Sequence, residues 1–263
     1  MHVILTSLLF LITTLEAADN SQELLKNFYL LNHTGQTVEF IQKQKEKLLP
    51  PRHFKMGIWD AIKLVDTLVD ESTPQRKKNY SYYFCRTAEA LRKDDQPRWL
   101  ILTGLIYDLG KVLTLFGEPS WAVYGETFPV GCAFSDLITY PSFFRFNPDR
   151  HISRYQMILG IYPPHCGLGN VQMSWGQDEY LYHVVKQYLP EEASFIIRYH
   201  SFKALQKGGY RHLLSPRDHE MLPWLTLFKK YEEDHSLEEL DWISLRPYYE
   251  ALVAEFFPPV LTW

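Results

Sequence analysis

The stretch from residue 97 to residue 116 restricts the fold more than any other part of this chain. It is nearly all apolar, with Trp99-Leu100-Ile101-Leu102 at its start and Leu113-Thr114-Leu115-Phe116 at its end. A helix that is apolar on every side must be buried among other elements, so this segment is expected to form one central helix. Asp108 and Lys111 interrupt the run three positions apart, which puts both on one helical face. Taking two charges out of water is costly unless a partner, a metal or a substrate meets them. The helix that names the core is therefore also the place to look for a site.

The rest of the chain is helical in pattern. Thr37 to Leu49 reads as a polar, Lys-rich helix stopped by Pro50-Pro51. Ile58, Ile62, Val65 and Leu68/Val69 recur at helical spacing and predict a helix ending near Asp70. Further helices are expected over about 80–93, 151–161 and 177–188. Pro190 sits in the first turn of another, with Glu191 and Glu192 suited to its N-terminus. Ser215-Pro216-Arg217-Asp218 is a helix start with a Ser cap and Pro at the first helical position. The last helix is expected from about Arg246 to Phe256, before Pro258-Pro259. A long Gly- and Pro-containing connection runs from Gly117 to Pro148, a length that often marks a binding loop. No run alternates convincingly at period two, so the fold is read as all-α and a single domain.

Apolar content of 46% with 22% charged residues is ordinary globular composition. The net charge of -4, with Arg76-Lys77-Lys78 the longest basic run, argues against nucleic acid as a main partner. Residues 1–18 form an apolar leader that reads as a signal peptide cleaved near Ala17 or Ala18, leaving 19–263 as the helical domain. The leader is too short to span a bilayer comfortably. The expectation is a chain in the secretory pathway with no membrane span after leader removal. Asn32-His33-Thr34 and Asn79-Tyr80-Ser81 are glycosylation sequons, which add modest support. Cys85, Cys132 and Cys166 allow at most one bridge and one free thiol.

Longer motifs carry a resemblance. In chain order they include Leu68-Val69-Asp70-Glu71-Ser72, Asp108-Leu109-Gly110-Lys111-Val112-Leu113, Thr127-Phe128-Pro129-Val130-Gly131-Cys132, Pro164-His165-Cys166-Gly167-Leu168 and Met173-Ser174-Trp175-Gly176. From about Gln36 to Trp263 the chain resembles the myo-inositol oxygenase family. That resemblance implies an HD-domain-like helical bundle holding two irons with four His and two Asp ligands. It also implies O2-dependent cleavage of myo-inositol to D-glucuronate, a monomer, and for the family a cytoplasmic location. The family's His ligands fall on Tyr83, Tyr107, Gln177 and His200, and its Asp ligands on Asp108 and Glu232. Asp108 is the position that bridges the irons in the family. Family substrate contacts fall on Asp70, Glu71, Ser72, Lys111, Gly125 and Ser201, with Glu126 replacing an Asp.

Three imidazoles are thus replaced by groups that donate poorly to iron, namely a carboxamide and protonated phenols. The expectation is a catalytically impaired member with at most one weakly bound ion, retaining a polyol as its small-molecule partner. Two alternatives stand beside it. One is an active oxygenase with a rearranged iron site. The other is a secreted ferric-iron binder using Tyr83, Tyr107, Asp108, His200 and Glu232 as ligands. Each residue also has a plainer reading. His200 lies on the apolar face set by Ile196 and Ile197, Asp108 can pair with Lys111, and the tyrosine rings can fill vacated volume. His165-Cys166 is read as structural.

Overall fold

The computed structural model describes residues 21–69, 72–73, 78–234 and 240–263. The leader, with its expected cleavage site, lies outside the described residues, as do Asp70 and Glu71. The architecture is an all-α bundle. Its helices are α1 (21–35), α2 (Val38–Leu48), α3 (Ile58–Val65), α4 (Tyr80–Lys93) and α5 (Arg98–Ile106), then α6 (Gln177–Val185), α7 (Glu191–Tyr199), α8 (Lys203–Gln206), α9 (Pro216–Glu232) and α10 (Trp242–Phe256). Two short strands, β1 (Lys55–Met56) and β2 (Leu261–Thr262), pair antiparallel with Lys55 opposite Thr262 and Met56 opposite Leu261. The indole of Trp263 is fully buried behind them and donates to the Met56 carbonyl at 3.1 Å.

α5 is the centre of the bundle, and every residue from Leu100 to Ile106 is buried. It lies close against α4 because Gly104 has no side chain. A Cβ there would sit 3.1 Å from the Ala88 backbone and 2.9 Å from Leu91. The α-helix does not, however, continue to residue 116. It stops at Ile106, Asp108 takes φ -107 and ψ 8, and Leu109–Phe116 winds on as a tighter 3-10 helix. Gly117, at φ +83, closes that turn before Pro119. The break has a tertiary cause. Gly110 packs against the Gln177 carbonyl so closely that a Cβ would lie 2.0 Å from it, so the chain follows the start of α6.

Other boundaries also differ from expectation. α3 ends at Val65, and the chain leaves it through Thr67 and Leu68, whose amides bond Leu64 and Val65. Residues 151–161 make 3-10 turns instead of a helix, because the segment is pinned to a neighbouring loop by Ala133 N to Met157 O and Ile161 N to Gly131 O. Pro190 is the N-cap of α7 rather than part of its first turn. α10 starts at Trp242, earlier than expected, and runs through Pro247. The bond that proline forgoes would have gone to the carbonyl of Ile243, whose residue is 87% exposed, so water can take it.

α9 opens as the sequence suggests. Ser215 caps the Asp218 amide while the Asp218 carboxylate accepts from the Ser215 amide at 2.8 Å and the Leu168 amide at 3.0 Å. His165 Nδ1 donates to the Leu214 carbonyl, 3.0 Å away, in the same tether, in keeping with a structural role. All three cysteines are free. The two sequons differ sharply. Asn32 is buried and donates to the Trp121 carbonyl at 2.7 Å, whereas Asn79 is exposed at the head of α4.

Candidate functional site

A cavity of about 600 Å³ opens where α4, the end of α5, the start of α6, the end of α7 and α9 converge. Its wall includes Asp108, Lys111, Gln177, His200, Ser201 and Gly125. Of the remaining residues singled out from the sequence, Ser72, Tyr83, Tyr107 and Glu232 also line it. The Glu126 carboxylate instead takes up the amide and hydroxyl of Thr139 and lies 3.4 Å from Lys203, so its side chain is committed to the loop. Gly125 is at φ +101, a backbone conformation that only glycine adopts without strain, and a Cβ there would press on Phe28 at 3.1 Å.

The bottom of the cavity is a compact polar cluster. Lys111 Nζ donates to Asp108 Oδ2 at 2.6 Å and lies over the Tyr80 ring, 4.4 Å from its centroid. The other oxygen, Asp108 Oδ1, accepts from Gln177 Nε2 at 2.8 Å and lies 3.3 Å from His200 Nε2. Burial alone would raise the Asp108 carboxyl, but Lys111 and His200 outweigh it and hold it well below the usual carboxylate range. His200 ends α7, and its Nδ1 donates to the Ile197 carbonyl at 3.0 Å.

A third acid completes the cluster. Asp178, the second residue of α6, is 3% exposed. Its Oδ2 accepts from the Thr127 hydroxyl at 2.9 Å, and its Oδ1 lies 3.5 Å from His200 Nε2 and against the Gln177 amide nitrogen. The sequence singles out Gln177 rather than Asp178, because Gln177 is the residue that follows Met173-Ser174-Trp175-Gly176 at a ligand position of the family. The acid in the first turn of a helix also has an ordinary reading as a dipole partner. Burial pushes the Asp178 carboxyl up to about 6, with Asp108 adding to the rise and His200 opposing it. Burial would depress the His200 imidazole, but Asp178 and Asp108 reverse this and raise it to about 9. One ligand atom from each of Asp108, Asp178 and His200 lies within 4.8 Å of the others, a spacing that could hold a metal ion.

The other expected ligand positions have packing or ionic partners of their own. Tyr107 is 5% exposed and boxed edge-on by His200, Phe84 and Phe228, with ring centroids 5.2, 5.6 and 5.3 Å away. Burial, reinforced by Asp108, raises its phenol well above the ordinary value. Tyr83 stacks with the Arg86 guanidinium, 5.1 Å from its ring centroid. The Glu232 carboxylate is held by Lys229 at 2.7 Å. Behind the site, Glu179 ties three helices together. It receives two bonds from Arg198 of α7, at 2.6 and 3.0 Å, and lies 3.2 Å from Lys45 of α2.

Residues 22–263 match the family described as myo-inositol oxygenase. The chain is 44% identical over 247 residues to inositol oxygenase 1 of Arabidopsis thaliana, covering 90% of this chain and 79% of that relative. It is 44% identical over 242 residues to inositol oxygenase of Rattus norvegicus, covering 89% of this chain and 85% of that protein. With inositol oxygenase of Mus musculus the identity is 45% over the same shares.

Proposed function

Because the chain belongs to the myo-inositol oxygenase family, we propose that it keeps a polyol pocket of the inositol class but has lost most or all of the family's di-iron oxidation. The observation that carries this reading is the donor set at the bottom of the cavity. His200 is the one imidazole in the cluster formed with Asp108, Asp178 and Gln177. Two irons that activate O2 need more donors of that kind than these residues offer. The Tyr107 phenol is kept protonated by burial, Gln177 presents a neutral amide, and Glu232 is engaged by Lys229. The donors present therefore do not fit a pair of irons. The ferric alternative suffers from the same feature, since it needs the Tyr107 phenolate that burial and Asp108 oppose.

Polyol binding draws on a different part of the wall. Ser72, Ser201 and the Lys111 ammonium offer donors and acceptors for ring hydroxyls, and the backbone can approach closely at Gly125. The cavity volume of about 600 Å³ lies within the range of small-molecule sites. The test combines two measurements on the purified chain. Calorimetry with myo-inositol should show saturable binding, while supply of Fe(II) and O2 should yield no D-glucuronate. Turnover at the rate of an active relative, or failure to bind inositol, would refute the respective half. Restoring His together at Tyr83, Tyr107 and Gln177 should return measurable activity if the pocket is otherwise sound.

The leader and Asn79 support entry into the secretory pathway as part of the same proposal. Asn32 is enclosed by the fold and unsuited to a glycan, so Asn79 is the sequon to follow among the described residues. Protein secreted from cells should lose mass on deglycosylation, and Asn79→Gln should abolish that shift. An unglycosylated, cell-retained product would refute it.

A further inference from the structure

We propose that Asp108, Asp178, His200 and the Gln177 carboxamide oxygen form a site for a single divalent first-row cation, in which Asp178 takes over from the missing imidazoles. The inference rests on the reading above that the paired-iron set is gone. It redraws the site around a residue outside the six family positions, and leaves out Tyr83, Tyr107 and Glu232.

The outward atom of each of three ligands is already held, which is how metal ligands are oriented. Lys111 holds Asp108 Oδ2 at 2.6 Å, Thr127 holds Asp178 Oδ2 at 2.9 Å, and the Ile197 carbonyl holds His200 Nδ1 at 3.0 Å. What remains is Asp108 Oδ1, Asp178 Oδ1 and His200 Nε2, and these atoms converge: the two carboxylate oxygens lie 3.3 and 3.5 Å from the nitrogen. The Ile197 carbonyl can only accept, so the lasting proton of His200 is on Nδ1, and Nε2 is the atom available to an ion. Binding there would release the Nε2 proton.

Gln177 supplies an independent pointer. It is 5% exposed, its nitrogen lies at the same focus, and its Oε1 is buried without a hydrogen-bond partner. Half a turn of the carboxamide exchanges nitrogen and oxygen, placing the unpartnered oxygen among the ligand atoms and giving it the cation it lacks. The two carboxylates outnumber the one ammonium, Lys111, that pairs with Asp108, so the site keeps the negative charge a cation needs. Three oxygens with one imidazole suit Mn2+ or Fe2+ better than the softer ions that prefer thiolate. Asp108, Gln177 and His200 all line the cavity, so the ion would face the polyol pocket.

The full chain, stripped of metal, is titrated with Mn2+ and followed by calorimetry, thermal unfolding and electron paramagnetic resonance. One ion per chain, a raised unfolding temperature and a spectral coupling to a single imidazole nitrogen are expected. Asp178→Asn should weaken Mn2+ affinity more than about 100-fold and the supporting Thr127→Val change about 10-fold, the range for an outer-sphere partner. Glu232→Gln, a ligand loss on the family's arrangement, should weaken the affinity far less than Asp178→Asn, by the loss of a nearby charge alone. No saturable uptake, two ions per chain, a spectrum without imidazole coupling, or wild-type affinity in Asp178→Asn would each overturn the inference. If Asp178→Asn does not fold, the wild-type spectrum and Thr127→Val decide. D-glucuronate formation would overturn the functional reading, whereas inositol binding without an Mn2+ site would overturn this inference alone.

Discussion

Gly110→Ala is the most direct test of how the site is positioned. Gly110 has an ordinary backbone conformation, so its role is one of space. An added Cβ would meet the Gln177 carbonyl oxygen at 2.0 Å, its carbon at 2.7 Å and the Gln177 Cα at 3.0 Å, against ordinary contacts of 3.4–4 Å. All three are backbone atoms, so no side chain can swing aside, and the two segments must separate by more than 1 Å. Overpacking of this kind costs typically about 1–3 kcal/mol, and a clash with backbone belongs at the upper end. Replacing Gly by Ala returns about 0.5–1 kcal/mol of chain entropy, leaving a net loss of about 2 kcal/mol. For a domain of this size that corresponds to a Tm lower by about 4–8 °C. The assay is thermal and urea unfolding beside Gly169→Ala, whose Cβ would meet nothing within 4 Å. Because Gln177 and Asp178 open α6, their separation from Asp108 should grow and cation binding should weaken in parallel. A stability within about 0.5 kcal/mol of wild type, the usual scatter of a neutral surface change, would refute the close approach as the cause of the helix break.

Two further perturbations probe the frame around the site. Glu179→Gln removes one partner of a buried ion pair with Arg198 and should cost about 3–5 kcal/mol at neutral pH. Burial alone would raise Glu179, but His183, Arg198 and Lys45 hold it well below its ordinary value of 4.5. Its contribution is therefore present above pH 4.5 and is lost as the pH falls below that, so denaturation between about pH 5 and 3 should be shallower in Glu179→Gln than in wild type. Equal acid slopes would count against the pair. Asp218→Ala removes the reciprocal half of the α9 capping box and the acceptor for the Leu168 amide, and should lower stability by about 1–3 kcal/mol in urea unfolding, with Asp218→Asn intermediate. An unchanged midpoint would show that the loop is held by other contacts.

Much of this was legible in the sequence. The all-apolar run around Leu100–Ile106 could only be a core helix, because no surface arrangement hides such a segment from water. Ser215-Pro216-Arg217-Asp218 and Thr37 announced helix starts that local hydrogen bonding alone can specify. The motifs from Leu68 to Gly176 were enough to identify the family, Asp108 and Lys111 were recognisable within them, and His200 through the family position it falls on. These features depend on residues close in sequence, or on patterns that survive in relatives.

What only the tertiary structure decided is where separate segments meet. The break after Ile106 comes from Gly110 lying against Gln177, 67 positions along the chain, a contact no local propensity encodes. The turns of 151–161 owe their form to pairing with Gly131 and Ala133. Asp178 carries no distinguishing signal in the sequence; only the packing of α6 on α7 brings its carboxylate to His200, with the Thr127 hydroxyl on its far oxygen. Glu126 matched a substrate position by sequence, yet its carboxylate is spent on Thr139. Sequence determines which groups are available for chemistry, whereas burial and long-range packing determine which of them face one another and what charge they hold.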